Sequence, residues 1–242
     1  MAETKRDIIK VLQEQILRLQ GVKSSTDGAA VDFGLGEIPN SFPHQIFPVG
    51  AIHEFIGTNL EDAAATCGFI SALLSVLMRN NGICIYISCQ RKLFPASLAG
   101  FGLSPDRVVF IDLSLEKDVL WASEEALKCE SLAAVVTELD QISFAQSRRL
   151  QLVVEKSGVS CFLIRRNADK LSSTTAIARW QIAAEPSKSV DGMPGLGFPR
   201  WKVDLLKVKN GQPGSWIMEY AAGQFHQVKE TFIPQEEIRK VI

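Results

Sequence analysis

The chain has 242 residues, of which 46% are hydrophobic and 22% charged, a composition that excludes a disordered protein and fits a folded globular one. Its 26 Lys and Arg nearly balance 27 Asp and Glu, for a net charge of −1, so a generally basic nucleic-acid coat is excluded while a local basic patch is not. Five Cys without a CxxC pair, and His44, His53 and His226 without zinc spacing, argue against a secreted disulfide scaffold and a metal site.

In chain order, residues 4–20 are predicted to be a helix, with Ile8, Leu12, Ile16 and Leu19 forming an apolar stripe and Gly21 placed to end it. A polar linker runs on to residue 32. The stripe needs a surface to dock on, either in its own domain or on another chain. From Gly50 the pattern alternates between strand and helix. Strands are predicted at 51–57, 82–88, 107–113, 132–139 and 159–165, and helices at 62–80, 95–102, 115–129 and 143–158. Such alternation with short joints predicts a doubly wound α/β fold with a mainly parallel sheet. Residues 178–184, 199–209 and 215–220 carry antiparallel signals around a Gly/Pro-rich loop and the turn 210–214. They are predicted to extend one edge of the same sheet. The division expected is a helix and linker (1–32), a core (33–223) and a charged tail (224–242), the tail either a short helix or disordered. The apolar stretch 67–78 is too short to span a bilayer, and the charged start (Glu3, Lys5, Arg6, Asp7) is unlike a signal peptide, so no membrane is expected and a cytoplasmic location is.

In a doubly wound sheet, ligands bind beyond the carboxyl ends of the strands. The first strand–helix joint, 57–64, has the position of a phosphate-binding loop. Such a loop needs a second Gly, a Lys and a Ser or Thr. Only Gly57 fits the pattern, because Asp62, Ala63 and Ala64 stand at the other three positions. Glu61 and Asp62 bring carboxylates to a helix N-terminus, where they take the place of a phosphate; alternatively Asp62 simply caps the helix. Glu138 ends a buried strand, where a magnesium-binding acid would sit, and reads as a structural acid. His53 reads as a core histidine, Ser160 and Cys161 have no His nearby in sequence, and Cys84 and Cys89 read as buried free thiols. No cofactor and no catalytic activity are expected.

The segments FPVGAIHEFIG (47–57), ALLSVLMRNNGICIYIS (72–88), LWASEEALKCESLAAVVTEL (120–139), SRRLQLVVEKSGVSCFLIR (147–165) and PRWKVDLLKVKNGQPGSWIMEY (199–220) resemble the ImuA family, in the same order and over most of residues 33–220. The resemblance implies a RecA-like fold and a part in damage-inducible, SOS-linked mutagenesis. The implied partners are an ImuB-type inactive Y-family polymerase (a pseudo-polymerase), an error-prone DnaE-type polymerase and RecA. Compared with RecA itself, the phosphate loop falls on Gly57 to Ala64, and the carboxylate that positions the attacking water falls on Gln90. The first DNA-binding loop has almost no room before residue 143, and the second is shortened to about 167–175, so a RecA-type grip on DNA is expected to be weak. Arg148, Arg149, Arg165, Arg166 and Lys170 could form a basic patch beside that loop or a solvated, ion-paired face. Lys207 and Lys209 fall on a segment whose lysines in RecA reach a neighbour's nucleotide; partial burial beside Trp201, Val203 and Leu205 is the alternative. By the same likeness Ile8, Leu12, Ile16 and Leu19 are candidate partner contacts, and self-association is allowed. Two other functions stay open, a SulA-like division inhibitor that binds FtsZ and a divergent ATPase.

Overall fold

The computed structural model describes residues 31–57, 59–80, 82–166, 172–187 and 197–229. The expected helix 4–20 and its stripe lie outside these residues. Nine strands form one sheet: β1 (Ile52–Ile56), β2 (Ile83–Ser88), β3 (Val108–Asp112), β4 (Leu132–Leu139), β5 (Ser160–Arg165), β6 (Ala178–Glu185), β7 (Arg200–Val208), β8 (Gly214–Ala221) and β9 (Gln224–Val228). Their spatial order is β3-β2-β4-β5-β1-β6-β7-β8-β9. Strands β1 to β6 pair in parallel, and β7, β8 and β9 add antiparallel. This is the α/β, mainly parallel architecture with an antiparallel edge that the sequence pattern predicts.

The helices are α1 (Leu60–Leu77), α2 (Glu116–Leu127) and α3 (Phe144–Ser157). The expected helix at 95–102 is a 3-10 helix, Pro95–Phe101. After β1 the chain crosses two neighbouring strand positions to reach β2; after β3 it turns back toward the centre. A right-handed crossover in opposite directions places the helices on opposite faces. Accordingly α1 packs with Phe55, Tyr86 and Trp180 in one core layer, while α2 and α3 pack with Ile87, Val135 and Leu163 in the other. Helix α1 has the length and mean apolarity of a membrane span, yet it is buried along most of its length as the core helix of this layer. Its low amphipathicity in sequence follows from that burial. Helix α3 opens on a capping box, with Ser143 and Gln146 bonding each other's backbone N–H, and closes on Gly158 at φ 76°.

One segment differs from expectation, and a second, expected within the core from residue 33, is given its path by the structure. The tail does not begin at residue 224, because Gln224–Val228 forms β9, paired antiparallel with β8. Its Phe225 is buried, with ring centroids 5.3 Å from Phe69 and 5.2 Å from Tyr220. Too few alternating residues precede the charged run for the strand to show in the sequence. The second segment, 31–47, covers the α1 side with buried Phe33, Leu35, Ile38, Phe42 and Phe47. It is tied to β9 by the Glu37 N–H, which donates to Gln227 Oε1 at 2.7 Å. A side chain at Gly36 (φ 59°) would collide with Gln227.

Truncating Phe225 to Ala should cost about 3 kcal/mol or more of stability, measured by urea unfolding, because it removes an aromatic ring from this core. A residue in a solvated tail would show almost no change.

Candidate functional site

The joint between β1 and α1 is only three residues long, 57–59. The chain turns into helix at Leu60, before the position where a phosphate loop would finish wrapping its ligand. Asn59 caps the helix: its side-chain oxygen accepts the Asp62 N–H at 2.7 Å, and its carbonyl accepts the Ala63 N–H at 3.1 Å. The N-terminal cap is therefore Asn59 and not Asp62. A phosphate cradle directs free N–H groups at its anion. Here two of those N–H groups already have acceptors in the chain. Asp62 is buried and Glu61 exposed, both in the first turn, where the helix dipole favours negative charge. Ala63 and Ala64 contribute methyl groups where the pattern calls for an amine and a hydroxyl. Gly57 closes the joint by donating its N–H to the Arg165 carbonyl at 3.0 Å.

Across the sheet, Glu138 is buried on the α1 side and accepts a hydrogen bond from the Tyr86 hydroxyl. The Cys67 thiol lies 3.8 Å from the same hydroxyl. Desolvation raises the Glu138 carboxyl above its ordinary range, opposed by that hydrogen bond and by the Arg166 charge. Burial likewise lifts the Tyr86 phenol. Glu138 Oε2 has no partner among the described residues. Gln90 instead lines an open cavity of about 540 Å³ at the carboxyl ends of the strands, together with Cys89, Lys92, Glu116, Asp140 and Arg166. Cys89 is therefore part of a surface cavity and only half-buried, unlike Cys84. Among the described residues, no group of three or more His, Cys, Asp or Glu is placed to hold a metal ion.

The arginines do not form one surface patch. Arg165 is fully buried, its Nη1 3.1 Å from Glu54 Oε1. Arg165 therefore takes no part in a surface patch, contrary to expectation, because β5 turns its last side chain inward to Glu54. Arg166 pairs with Asp140 at 3.1 Å and lies 3.9 Å from Glu116. Arg149 pairs with Glu124 at 2.6 Å, and Arg148 lies 3.8 Å from Glu155 and donates to Gln151 at 2.8 Å. Lys170 lies outside the described residues. Lys207 and Lys209 belong to the opposite end of the sheet, since Val208 pairs with Ala178, the first residue of β6. A register shift between Arg179 and Trp180 breaks the expected parity, so Leu205 is buried while Lys207 is exposed.

No protein-family model matches the chain. It is 32% identical over 206 residues to the protein ImuA from two strains of Caulobacter vibrioides, NA1000 and CB 15, covering 80% of this chain and 84% of each relative. The chain belongs to the ImuA family. Among solved structures, the RadB recombinase overlays with a TM-score of 0.57 at 13% identity, covering 82% of this chain and all of the other, which shows a shared RecA-like fold. This ImuA-family chain therefore has a RecA-like sheet whose first helix is capped by Asn59.

Among the described residues, a buried polar cluster that no sequence motif announced is centred on β1. Glu54, in the middle of β1, is wholly buried between two arginines. Its Oε1 meets Arg165, and its Oε2 accepts from Arg179 Nε at 2.8 Å and from the Thr174 hydroxyl at 2.7 Å. Arg179 also donates to the Ser172 carbonyl at 2.8 Å, and the Ser172 hydroxyl donates to the Ile142 carbonyl at 2.7 Å. One carboxylate thus joins β1, β5 and β6 to the chain leading into β6. The signal in sequence was an acid, beside His53, in a strand whose other residues are apolar. His53, its neighbour, faces the opposite layer. Its Nδ1 accepts from Trp180 Nε1 at 3.2 Å, so its Nε2 carries the proton and donates to the Pro48 carbonyl at 2.8 Å. The expected core role of His53 holds. Ser160 is likewise structural, accepting the Gly50 N–H at 2.9 Å, and burial pushes the Cys161 thiol up to about 12.

Replacing Glu54 by Ala leaves two arginines facing each other without their acid and should destabilise the fold by about 3–5 kcal/mol. Thermal and urea unfolding would register the loss. His53 gives a pH prediction. Desolvation lowers its pKa from 6.5 to about 4. The unfolded chain takes up the proton below about 6.5, so the neutral fold is most favoured above that pH. Stability should fall by about 3 kcal/mol as pH drops from 6.5 to 4. A His53→Gln variant should flatten that part of the profile relative to the parent in urea unfolding.

Proposed function

We propose that this ImuA-family protein is a non-catalytic RecA-like accessory of error-prone translesion synthesis. In this reading its sheet is a rigid docking body and no nucleotide is consumed. The observation that carries the proposal is the Asn59 cap, with its side-chain oxygen on the Asp62 N–H. A triphosphate needs those N–H groups free, and it would also have to approach Glu61 and Asp62. Two like charges about 4 Å apart repel by about 4 kcal/mol at an effective dielectric of about 20. Neither a lysine nor a hydroxyl offsets that cost at Ala63 and Ala64. Gln90 keeps hydrogen-bonding capacity but cannot act as a base.

The partners proposed follow from the family: an ImuB-type inactive Y-family polymerase first, then the error-prone DnaE-type polymerase and RecA, in the cytoplasm. DNA contributes little, because Arg148, Arg149, Arg165 and Arg166 already have acids or amides as partners. A SulA-like role at FtsZ is disfavoured by the family match, which spans 80% of the chain.

Calorimetry of the full chain with ATP and Mg²⁺ should give no binding heat, and a phosphate-release assay no turnover. Micromolar binding that is lost on Glu138→Ala would establish the ATPase reading instead. Pull-down from damage-treated cells should recover an ImuB-type protein; recovery of FtsZ in its place would decide for division inhibition.

A further inference from the structure

The two edges of the sheet, β9 and β3, differ. Along β9 the chain covers its own edge. Gly34 lies against the Phe225 backbone, and Glu37 donates its N–H to Gln227 while its carboxylate meets Lys229 at 3.2 Å. Strand β3 has no such cover among the described residues. The Leu113 N–H donates to the Ser88 carbonyl at 2.9 Å, so by the alternation of a parallel ladder Val109, Ile111 and Leu113 turn their backbone groups toward β2. Val108, Phe110 and Asp112 turn theirs outward. The Pro105 carbonyl takes the Val108 N–H. The N–H groups of Phe110 and Asp112 and the carbonyls of Val108 and Phe110 are left without a backbone partner among the described residues. The usual protection of an edge is missing too: residues 108–112 contain no Lys or Pro, and β3 pairs with β2 without a bulge. Val109, on the α2 side, is 48% exposed, and Ile83, on the same face of β2, is 45% exposed. Asp112, the charged residue of the strand, is held by Arg91 at 3.2 Å.

A row of outward N–H and C=O groups is answered by an extended strand. Strand β3 of a second copy answers this one in a register that its own alternation sets. A two-fold axis through Phe110 places Phe110 opposite Phe110, Val108 opposite Asp112 and Val109 opposite Ile111. Each Phe110 N–H then meets the other Phe110 carbonyl, and each Asp112 N–H meets the other Val108 carbonyl, so every outward donor finds an acceptor. On the α2 side the exposed Val109 is covered by the aliphatic Ile111 of the other copy, a cross-strand pair of the kind that stabilises antiparallel sheets. We propose that the β3 edge is a homodimer interface, in which two copies join antiparallel about Phe110 into one continuous sheet. The proposal does not rest on the reading of the nucleotide site, because β2, β4 and β5 stand between β3 and β1.

Sedimentation of the full chain across a concentration series tests this directly, with amide hydrogen exchange read in parallel. The mass should rise from one chain to two, and over the same range the Phe110 and Asp112 amides should slow in exchange at least about tenfold. Val109→Lys puts a charge on the edge at an exposed position where the monomer fold is not at stake, and should weaken self-association at least about tenfold. Circular dichroism melting confirms that this variant is folded. Sedimentation as a single chain at every concentration overturns the proposal. So does a dimer indifferent to Val109→Lys, a dimer whose Phe110 and Asp112 amides exchange as they do in the single chain, or protection of those amides that develops only when a different protein is added.

Discussion

A single hydrogen bond, from the Asp62 N–H to the Asn59 side chain, decides what the first strand–helix joint can be. With Asn59 as cap, the chain enters helix at Leu60, and the joint shrinks to three residues. Had the helix begun three residues later, the same stretch would form an open turn with its N–H groups pointing inward. The acids at 61 and 62 then reinforce the early start, because the first turn of a helix is where carboxylates are most favourable. Capping and charge act together: the cap uses the donors, and the acids use the dipole. A RecA-like sheet keeps its topology under this change because β1 remains held on both sides, by β5 and β6.

The same economy governs the basic residues. Each arginine of the expected patch that the structure describes finds an acid or an amide, and the pairs divide by depth. Arg148 and Arg149 are exposed, and their pairs contribute little to stability. Arg165 is wholly buried, and a buried charge persists only with compensation close at hand. Glu54 supplies it from the neighbouring strand, and Arg179 and Thr174 complete the acid's coordination. This cluster sits on the face opposite α1, beneath the segment that leads from Ser172 into β6. The base of the β5–β6 connection is thereby fixed: Ser172 is bonded to Ile142, and the Thr175 N–H and hydroxyl are bonded to Ser147.

The parallel half of the sheet was legible in sequence because its strands are continuous β-rich runs alternating with longer helical ones. Strand β4 runs over the residues predicted for it, 132–139, and α3 differs by one residue at each end. What escaped was set by partners distant in sequence. Residues 33–47 were expected in the core, but with apolar residues at irregular spacing their path over α1 and against β9 was not readable. Strand β9 carries one buried anchor, Phe225, too little to make a period. Arg165 and Arg166 read alike as consecutive basic residues, but the pleat of β5 sends one inward to Glu54 and leaves the next to Asp140 beyond the strand end. That Asp62, Ala63 and Ala64 replace the glycine, lysine and hydroxyl of a phosphate loop was legible from residue types alone, whereas the identity of the helix cap was not. Asn59 and Asp62 are both good capping residues, and only the backbone, extended at Asn59, tells them apart.

The position of Glu138 follows from the same closure. In a sheet that grips a nucleotide, an acid at this strand end would face a metal ion and solvent. Here Glu138 is buried on the α1 side, with Cys67 of α1 close to the Tyr86 hydroxyl that Glu138 accepts from. Its raised pKa is a consequence of burial, opposed by the hydrogen bond and by nearby cations. Burial disfavours the charged form of this carboxyl, and the Tyr86 hydroxyl supplies part of the compensation. The capped joint and the buried acid thus stand side by side in this chain: two backbone donors of the joint are bonded within it, and Glu138 is held in the core against Tyr86.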